Sequence, residues 1–400
     1  MINGLSSGMK VLIVATEIGE TNGGKGRYSL EMARSLLPQL HAQGAQVTVL
    51  APKDAPLEFL APYARIVRIP VPKNTGIWRA VWEEVYIPAY AWGTDVLLVL
   101  NGSLPLGPLR SKRKIVVFYD IHPLQHLADP QRFPGHYSRK NLLRGCYEMR
   151  KAARDADEIV TISDSVGKDI ATLLHVSPRR MRTIPCAIDL KAFCPRPLEE
   201  VEAVRKRYHL PPDFYLFLGP PHAEAGNKKN LHVIVQAYSQ APEGADYLLP
   251  VVMAGGERVG RLREPVPAPL GGRALRDQCL YLGFVPDEDL PALYTAARAL
   301  LFPSLHEGFG IPPLEAMACG TPVVAADRPA IPEVVGDAAL LIDPLQPQSL
   351  LDALRKLGQG SVRQELIAKG FERARLYSWE RSADLMLRLI LEDKVRISGT

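Results

Sequence analysis

Glu307-Gly-Phe-Gly-Ile-Pro-Pro-Leu-Glu-Ala-Met-Ala-Cys-Gly-Thr-Pro322 sets two carboxylates, Glu307 and Glu315, around Gly308, Gly310, Pro312 and Pro313. The glycines and prolines forbid one helix through both acids. Glu307 therefore lies in a loop, and Glu315 in the first turns of a helix that Pro312 or Pro313 opens. Gly320 and Pro322 end that helix early. Just upstream, residues 299–302 are a short apolar run suited to a buried strand. Strand, glycine loop and helix start together aim backbone N–H groups at a bound anion. The two acids flank that position and can accept hydrogen bonds from hydroxyls, of which sugars and riboses are made. Taken singly, Glu315 complements a helix dipole and Glu307 is a solvated loop acid. Taken together in this frame, they mark a site.

Outward from this stretch the same scheme recurs. Residues 214–218, 248–254, 280–282, 322–325 and 339–342 are further apolar, β-branched runs in the second half. The first half has its own set at 10–15, 46–50, 64–69, 96–100, 114–118, 158–162 and 181–184. In the first half, a helical pattern from about Gly26 to Gln43 separates the first two runs, with Leu30, Ala33, Leu36, Leu37 and Leu40 at helical spacing. Strand–loop–helix–strand order predicts parallel, doubly wound sheets. We expect an α/β chain of two Rossmann-like domains, at 9–192 and 205–378, joined by a linker at 189–200 that carries Pro195 and Pro197. A last helix is expected over 379–395, with Leu385, Leu387 and Leu391 as its apolar positions.

Four hundred residues exceed what one hydrophobic core usually supports. A hydrophobic content of 47% with 23% charged residues is ordinary for a globular chain, and no apolar run is long enough to cross a bilayer. Met1 to Gly8 is small and polar and reads as a disordered lead-in rather than a signal peptide. Five scattered cysteines without C-x-x-C spacing point to free thiols in a reducing cytosol. The net charge of +5 is mild, and no nucleic-acid motif or dense basic stripe accompanies it. Residues 255–278, with Arg258, Arg261 and Arg263, are poorly patterned and read as a mobile surface loop. Trp78, Trp82 and Trp92 stand among several tyrosines, a cluster open to core, sugar-stacking or membrane-surface readings. The stretch from Arg139 to Arg154 interleaves six cations with Leu142, Leu143 and Tyr147. It reads as a solvated helix face, with contact to anionic lipid headgroups left open.

Two loops carry phosphate-binding features. Lys228 and Lys229, in Gly226-Asn-Lys-Lys-Asn-Leu231, precede a helix that Asn230 is placed to cap. Cations are unfavourable at a helix N-terminus, so two of them call for an anion. His222 and Glu224, in the loop before them, have no assigned role. The first loop, Gly19-Glu-Thr-Asn-Gly-Gly-Lys-Gly-Arg-Tyr28, nearly spells a Walker A motif, but Gly26 stands where the Mg²⁺-binding hydroxyl belongs. It nearly spells a dinucleotide fingerprint, but Ser29 replaces the third glycine. Gly23, Gly24 and Gly26 let backbone approach a ligand closely, or simply form a tight turn.

These segments together resemble the family 4 retaining glycosyltransferases, which have the GT-B fold and an E-x7-E signature. The resemblance runs from Lys10 to about Ile390 and is strongest from Asn227 onward. It includes Tyr281-Leu-Gly-Phe-Val-Pro-Asp-Glu-Asp-Leu290, Ile331-Pro-Glu-Val-Val-Gly336 and Leu340-Leu-Ile-Asp-Pro344. The resemblance implies two domains facing a cleft, with the last helix crossing back to the first. It implies that Glu315 receives the ribose and Glu307 the transferred sugar. Lys228, Lys229, Gly219 and the amides of Gly308, Phe309 and Gly310 would meet the diphosphate, backbone at Val285 the base, and Gly23 and Gly24 the phosphates from the first domain. Phe118-Tyr-Asp-Ile-His-Pro-Leu124 is similar to the family's His-Asp-Leu segment, with Tyr119 where the family histidine stands and Asp120 kept. His122, Tyr119 and Ser163 are then acceptor-side candidates, although Asp164 would also serve simply as the cap of the following helix. Besides Tyr119, the chain departs from the family pattern where Lys228 replaces an arginine, Pro220 follows Gly219, and Cys186-Ala187 replaces Asn-Gly.

The resemblance implies a metal-free, cofactor-free hexosyltransferase using a UDP- or GDP-hexose, with a glycan, lipid-linked or small-molecule acceptor and no nucleic acid. The expected location is the cytoplasm, with peripheral contact at the inner membrane face left open. Two rival readings are a catalytically silent nucleotide-sugar-binding subunit and a P-loop NTPase, which Gly26 disfavours; a nucleotide-sugar epimerase or phosphorolytic enzyme would share the fold.

Overall fold

The computed structural model describes residues 8–18, 24–70, 76–130, 133, 137–220, 227–256 and 279–392, with backbone alone for 76–81. The 255–278 insert beyond Gly256, Gly23, His222, Glu224, the Trp78 side chain and most of the lead-in lie outside the described residues.

The chain divides into two compact units. The first comprises 1–127, 137–186 and 379–400; the second comprises 128–136 and 187–378. The first unit is built on seven strands: β1 (Lys10–Val14), β2 (Gln46–Pro52), β3 (Arg65–Ile69), β4 (Val96–Val99), β5 (Arg113–Phe118), β6 (Glu158–Thr161) and β7 (Met181–Thr183). They form one parallel sheet in the order β3-β2-β1-β4-β5-β6-β7. The second unit has β8 (Tyr215–Leu218), β9 (Val251–Ala254), β10 (Cys279–Tyr281), β11 (Ala299–Phe302), β12 (Val323–Ala326) and β13 (Ala339–Ile342). These form a second parallel sheet, ordered β10-β9-β8-β11-β12-β13. Central strands such as β4, β9, β11 and β12 are buried at every position, which is why they read as unbroken apolar runs rather than alternating ones. The run expected from Leu248 begins pairing at Val251, after Pro250, which has no N–H to give to a ladder.

In each sheet the chain reverses its direction of winding once, between β1 and β4 in the first unit and between β8 and β11 in the second. In open α/β sheets these switch points leave a crevice at the carboxyl ends of the strands, where ligands bind. All the loops that concern function emerge there.

The chain leaves the first unit at Cys186–Ala187, ahead of the expected linker, and rejoins it at Trp379. The helix Trp379–Leu391 packs on the helix Gly24–Ala42. Its buried stripe is Trp379, Ala383, Met386 and Ile390, with Leu387 and Leu389 beside it. Leu385, expected on the apolar face, is instead exposed, because the stripe starts from Trp379 and runs at i+4 and i+7 spacing. Two polar ties hold the helix: Ser382 Oγ donates to the Pro185 carbonyl at 2.8 Å, and Arg113 Nη1 donates to the Leu389 carbonyl at 2.8 Å.

Candidate functional site

In the second unit, Gly219 follows β8 and the loop 303–310 follows β11, so both border the switch point. Lys228 and Lys229 lie in the turn before the helix Leu231–Gln240. That turn is fixed to the opposite loop: the Leu305 N–H donates to the Lys228 carbonyl at 2.9 Å, and the Lys229 N–H donates to Asn227 Oδ1 at 3.0 Å. Asn230 occupies the N-cap position but does not cap with its side chain. Its Nδ2 donates to the carbonyls of Pro303 (3.2 Å) and Pro344 (2.8 Å), and its backbone is left-handed at φ 55°. Asn230 thus ties the lysine turn to the loops after β11 and β13. Asparagine tolerates that conformation better than most residues.

Glu307 meets both lysines. Lys229 Nζ donates to Oε1 at 2.8 Å, and Lys228 Nζ lies 3.7 Å from Oε2. The Glu307 side chain is 13% exposed. Burial, the largest single influence, favours the neutral acid, but the charges of Lys229 and Lys228 with the Lys229 hydrogen bond outweigh it and hold the carboxyl at about 2. Glu307 is therefore a pure hydrogen-bond acceptor at neutral pH. Lys229 also lies over the Phe302 ring, 4.9 Å from its centroid. Its stem packs against Gly219, where an added Cβ would come within 3.2 Å of Lys229 Cγ and 3.0 Å of Phe217 Cε1.

Glu315 lies in the helix Ile311–Ala318, which opens with prolines and ends before Gly320. It is 2% exposed, and its Oε2 accepts from the Tyr294 hydroxyl at 2.8 Å. Phe309 is buried edge-on to Tyr377, with centroids 5.5 Å apart. Gly310 has φ 128°, a conformation reserved for glycine, and an added Cβ there would meet Ile331 Cδ1 at 2.9 Å. Val285 is buried beyond β10.

The first unit has its own cavity, of about 680 Å³, at the β1/β4 switch point. Its wall includes Glu17 and Lys25 after β1, Asn101 to Leu106 after β4, Tyr119 and Asp120 after β5, and Glu83, Glu84, Arg144 and Glu148 from two helices. Asn101 is the buried junction: its Nδ2 donates to Thr16 Oγ1 at 3.0 Å and to Glu83 Oε1 at 2.9 Å, and Thr16 Oγ1 donates to the same Glu83 oxygen at 2.7 Å. The Glu84 carboxylate receives the backbone N–H groups of Leu106 at 2.6 Å and Gly107 at 3.1 Å.

The first-unit candidates separate accordingly. Asp120 and Tyr119 border the cavity. The Tyr119 hydroxyl, however, is turned into the core, donating to the Leu100 carbonyl, and burial pushes its pKa well up. Gly24 begins the helix Gly24–Ala42. His122 is not among the residues lining the cavity: it is buried at the start of the short helix His122–Ala128, with Nδ1 2.6 Å from the Tyr137 hydroxyl. Ser163 is fully buried as the N-cap of the helix Asp164–Leu174, its Oγ accepting from the Val166 N–H at 3.2 Å. Neither is among the residues lining the cavity: Ser163 is engaged in capping its own helix and His122 in the bond to Tyr137. Lys151, grouped with the cations of its helix from sequence, is buried and bonded to the Pro105 carbonyl and Asp155.

Sequence reasoning did not single out Glu17, Glu83, Glu84 or Asn101, and grouped Arg144 with the cations of its helix. A signal existed for two of them: Glu83-Glu84 is a pair of acids inside the helix Gly76–Ala91, whose other charged residue is Arg79. Among the described residues, no group of three or more His, Cys, Asp or Glu is placed to hold a metal ion, and no helix is long and apolar enough to cross a membrane.

Two sequence families match the chain. The family described as Glycosyltransferase Family 4 covers residues 23–192, and Glycosyl transferases group 1 covers residues 221–373. The O-antigen chain mannosyltransferase B of Escherichia coli is 34% identical over 282 residues, 68% of this chain and 68% of that protein. The serotype-specific mannosyltransferase WbdA of Escherichia coli is 29% identical over 281 residues, 69% of this chain but 33% of WbdA, so this chain spans about a third of that protein's length. Among solved structures, Anabaena Alr3699/HepE in complex with UDP and glucose aligns with a TM-score of 0.66 at 16% identity, over 97% of this chain and 100% of HepE. That likeness is one of fold, two Rossmann-like parallel-sheet domains.

Proposed function

The chain belongs to glycosyltransferase family 4 and is a hexosyltransferase, and from that premise we propose that it moves a mannosyl group from a nucleoside-diphosphate donor to a growing glycan, with retention at the anomeric carbon and without a metal ion. The observation that carries the reading is the convergence of Lys228, Lys229 and an ionised Glu307 at the switch point of the second sheet. The likeness to O-antigen chain mannosyltransferase B favours mannose as the sugar and a polysaccharide as the acceptor. The UDP- and glucose-bound state of HepE makes UDP-glucose the competing donor to test.

The chemistry follows from the charges. One carboxylate against two ammonium groups leaves a net positive charge, positioned for a diphosphate. On donor binding, Lys228 and Lys229 would hold the phosphate oxygens, with the backbone N–H groups of Gly308, Phe309 and Gly310 completing the cradle at the helix start. Glu307, kept unprotonated, would accept hydrogen bonds from hydroxyls of the hexose. Glu315 would serve the ribose, with the Tyr294 hydrogen bond orienting its carboxylate, and backbone at Val285 the base. Gly219 gives Lys229 room to swing from Glu307 to phosphate.

In the transfer step the bond from the anomeric carbon to the phosphate oxygen breaks and its electron pair leaves with the diphosphate. The acceptor hydroxyl oxygen bonds to the same face, and its proton passes to a phosphate oxygen of the leaving group. No enzyme nucleophile takes part. Incubation of the protein with GDP-mannose or UDP-glucose and a panel of glycans tests the reading. We expect mannose transfer and an α-linked product from the α-configured donor, read from the one-bond carbon–proton coupling at the new anomeric centre. An inverted product refutes retention, abolition of transfer by EDTA with restoration by Mg²⁺ refutes metal independence, and binding without turnover refutes transfer.

A further inference from the structure

The loop that carries Glu307 and the amides of Gly308, Phe309 and Gly310 is supported by two elements of the second unit, and one guanidinium holds both. The first support is the helix Ile331–Val335. Its Ile331 and Val334 side chains lie against Gly310, where an added Cβ would meet them at 2.9 and 3.9 Å. That helix has five residues, is entered through Ala330 at φ 71° and has no side-chain cap at its start. So short a helix does not hold itself, and alanine keeps a positive φ only where its surroundings enforce it. Arg373, in the last turn of the helix Gly360–Arg375, supplies a restraint: Nε donates to the Val334 carbonyl at 2.7 Å and Nη2 donates to the Glu333 carbonyl. Carbonyls at a helix C-terminus lack partners within the helix, and a cation is favourable there. The second support is Tyr377, whose ring meets Phe309 edge-on. Arg373 Nη2 also donates to the Tyr377 hydroxyl at 3.0 Å, and that hydroxyl donates to the Glu333 carbonyl at 3.3 Å.

We propose that Arg373 is a positioning residue for the donor diphosphate, acting through Tyr377 on Phe309 and through the helix Ile331–Val335 on Gly310. This role rests on the transfer reading above and adds to it a residue that touches neither donor nor acceptor. Arg373 fixes the backbone from which the amides of Gly308, Phe309 and Gly310 are aimed. Aim matters because hydrogen bonds weaken steeply with angle, and a misplacement of about 1 Å, even from a remote residue, costs up to about 10²-fold in rate. The planar guanidinium reaches two carbonyls and a hydroxyl at once. A lysine ammonium carries the same charge on a single nitrogen and has no such fork. Tyr377 contributes two separable parts, the ring that meets Phe309 and the hydroxyl that meets Arg373.

The test uses the full-length protein at a temperature well below the Tm of every variant. Transfer from GDP-mannose and UDP-glucose to α-mannobiose is followed kinetically, and binding of GDP and UDP by calorimetry. Arg373→Lys keeps the charge and loses the fork, Tyr377→Leu loses ring and hydroxyl, and Tyr377→Phe keeps the ring. We expect Arg373→Lys and Tyr377→Leu each to lower kcat/KM for the donor by about tenfold or more and to weaken nucleoside diphosphate binding, with the acceptor KM within about twofold of wild type. Tyr377→Phe should lose about threefold or less, because the ring still meets Phe309 and Arg373 still holds the helix. A merely structural role lowers Tm but leaves the molecules that stay folded with normal donor kinetics. Unchanged donor kinetics and nucleotide binding in both Arg373→Lys and Tyr377→Leu overturn the inference and leave the transfer reading intact. So does an equal rise in donor and acceptor KM. Nucleotide binding that these substitutions weaken, with no transfer from either donor, upholds the positioning role and overturns the transfer reading. Binding of neither nucleotide by the wild type overturns both.

Discussion

Lys229 Nζ lies 2.8 Å from Glu307 Oε1, across the two loops that flank the switch point of the second sheet. The lysine pair demands an anion, and in the absence of donor the protein supplies its own carboxylate. The diphosphate must take over part of that role while Glu307 stays charged beside it. Lys229→Ala removes the closer ammonium, and transfer should fall by about 10²–10³-fold in kcat. Lys228→Ala, removing the more distant one, should cost less. Steady-state transfer kinetics check both, and near-full activity of Lys229→Ala sinks the proposed donor site.

The depressed carboxyl of Glu307 links stability to pH. Its pKa falls from 4.5 to about 2 on folding, so the folded state releases that proton more readily than the unfolded chain. The stabilisation is therefore fully present above about pH 4.5 and is lost progressively as pH falls towards 2. Glu307→Gln has no such proton to release. Urea unfolding of both proteins should show the stability difference shrinking by about 1–2 kcal/mol between pH 6 and pH 3. A constant difference means that the lysines do not hold the carboxyl in its charged form.

Much of this was legible in the sequence, for identifiable reasons. Parallel strands are short apolar runs between turn residues, so the buried β11 and the edge strand β13 could be read at their observed bounds. Glu307 and Glu315 were legible because proline and glycine fix the loop and helix start around them. The acceptor side was less so. Ser163 caps a helix and His122 bonds to Tyr137, partners that the sequence did not announce. Thr16, Glu83 and Asn101 come together from three separate segments through side-chain hydrogen bonds, a convergence that no local spacing encodes.

Gly310 should resist substitution for reasons of backbone and space together. At φ 128° an alanine is strained by about 1–3 kcal/mol. Its Cβ would also crowd Ile331 Cδ1 at 2.9 Å, although that methyl ends a side chain and can give way. Gly310→Ala should therefore lower Tm and raise the KM for donor together, since the same backbone orients the amides proposed to face the diphosphate. Adding Ile331→Val makes room but does not relieve φ. If the double variant recovers full stability, crowding was the cause; we expect the larger part of the loss to remain.

The last helix makes the first unit depend on the far end of the chain. Met386 is fully buried between Ala383 and Ile390 on the stripe that packs against the helix Gly24–Ala42, with Trp379 edge-on to Tyr28 at 5.5 Å. Met386→Ala leaves a cavity there and should cost about 2–5 kcal/mol. Arg113→Met tests the polar tie separately. It removes the bond to the Leu389 carbonyl and leaves that acceptor, together with the partly buried Glu158 carboxylate, short of a partner. Such a loss is worth about 1–3 kcal/mol. Thermal unfolding of both variants gives the magnitudes, and hydrogen exchange gives the location. We expect loss of protection in β1, β5 and the helix Gly24–Ala42, with the β8–β13 sheet unchanged. Uniform loss across both sheets would mean that the two units unfold as one, and that this helix does not report on the first unit alone.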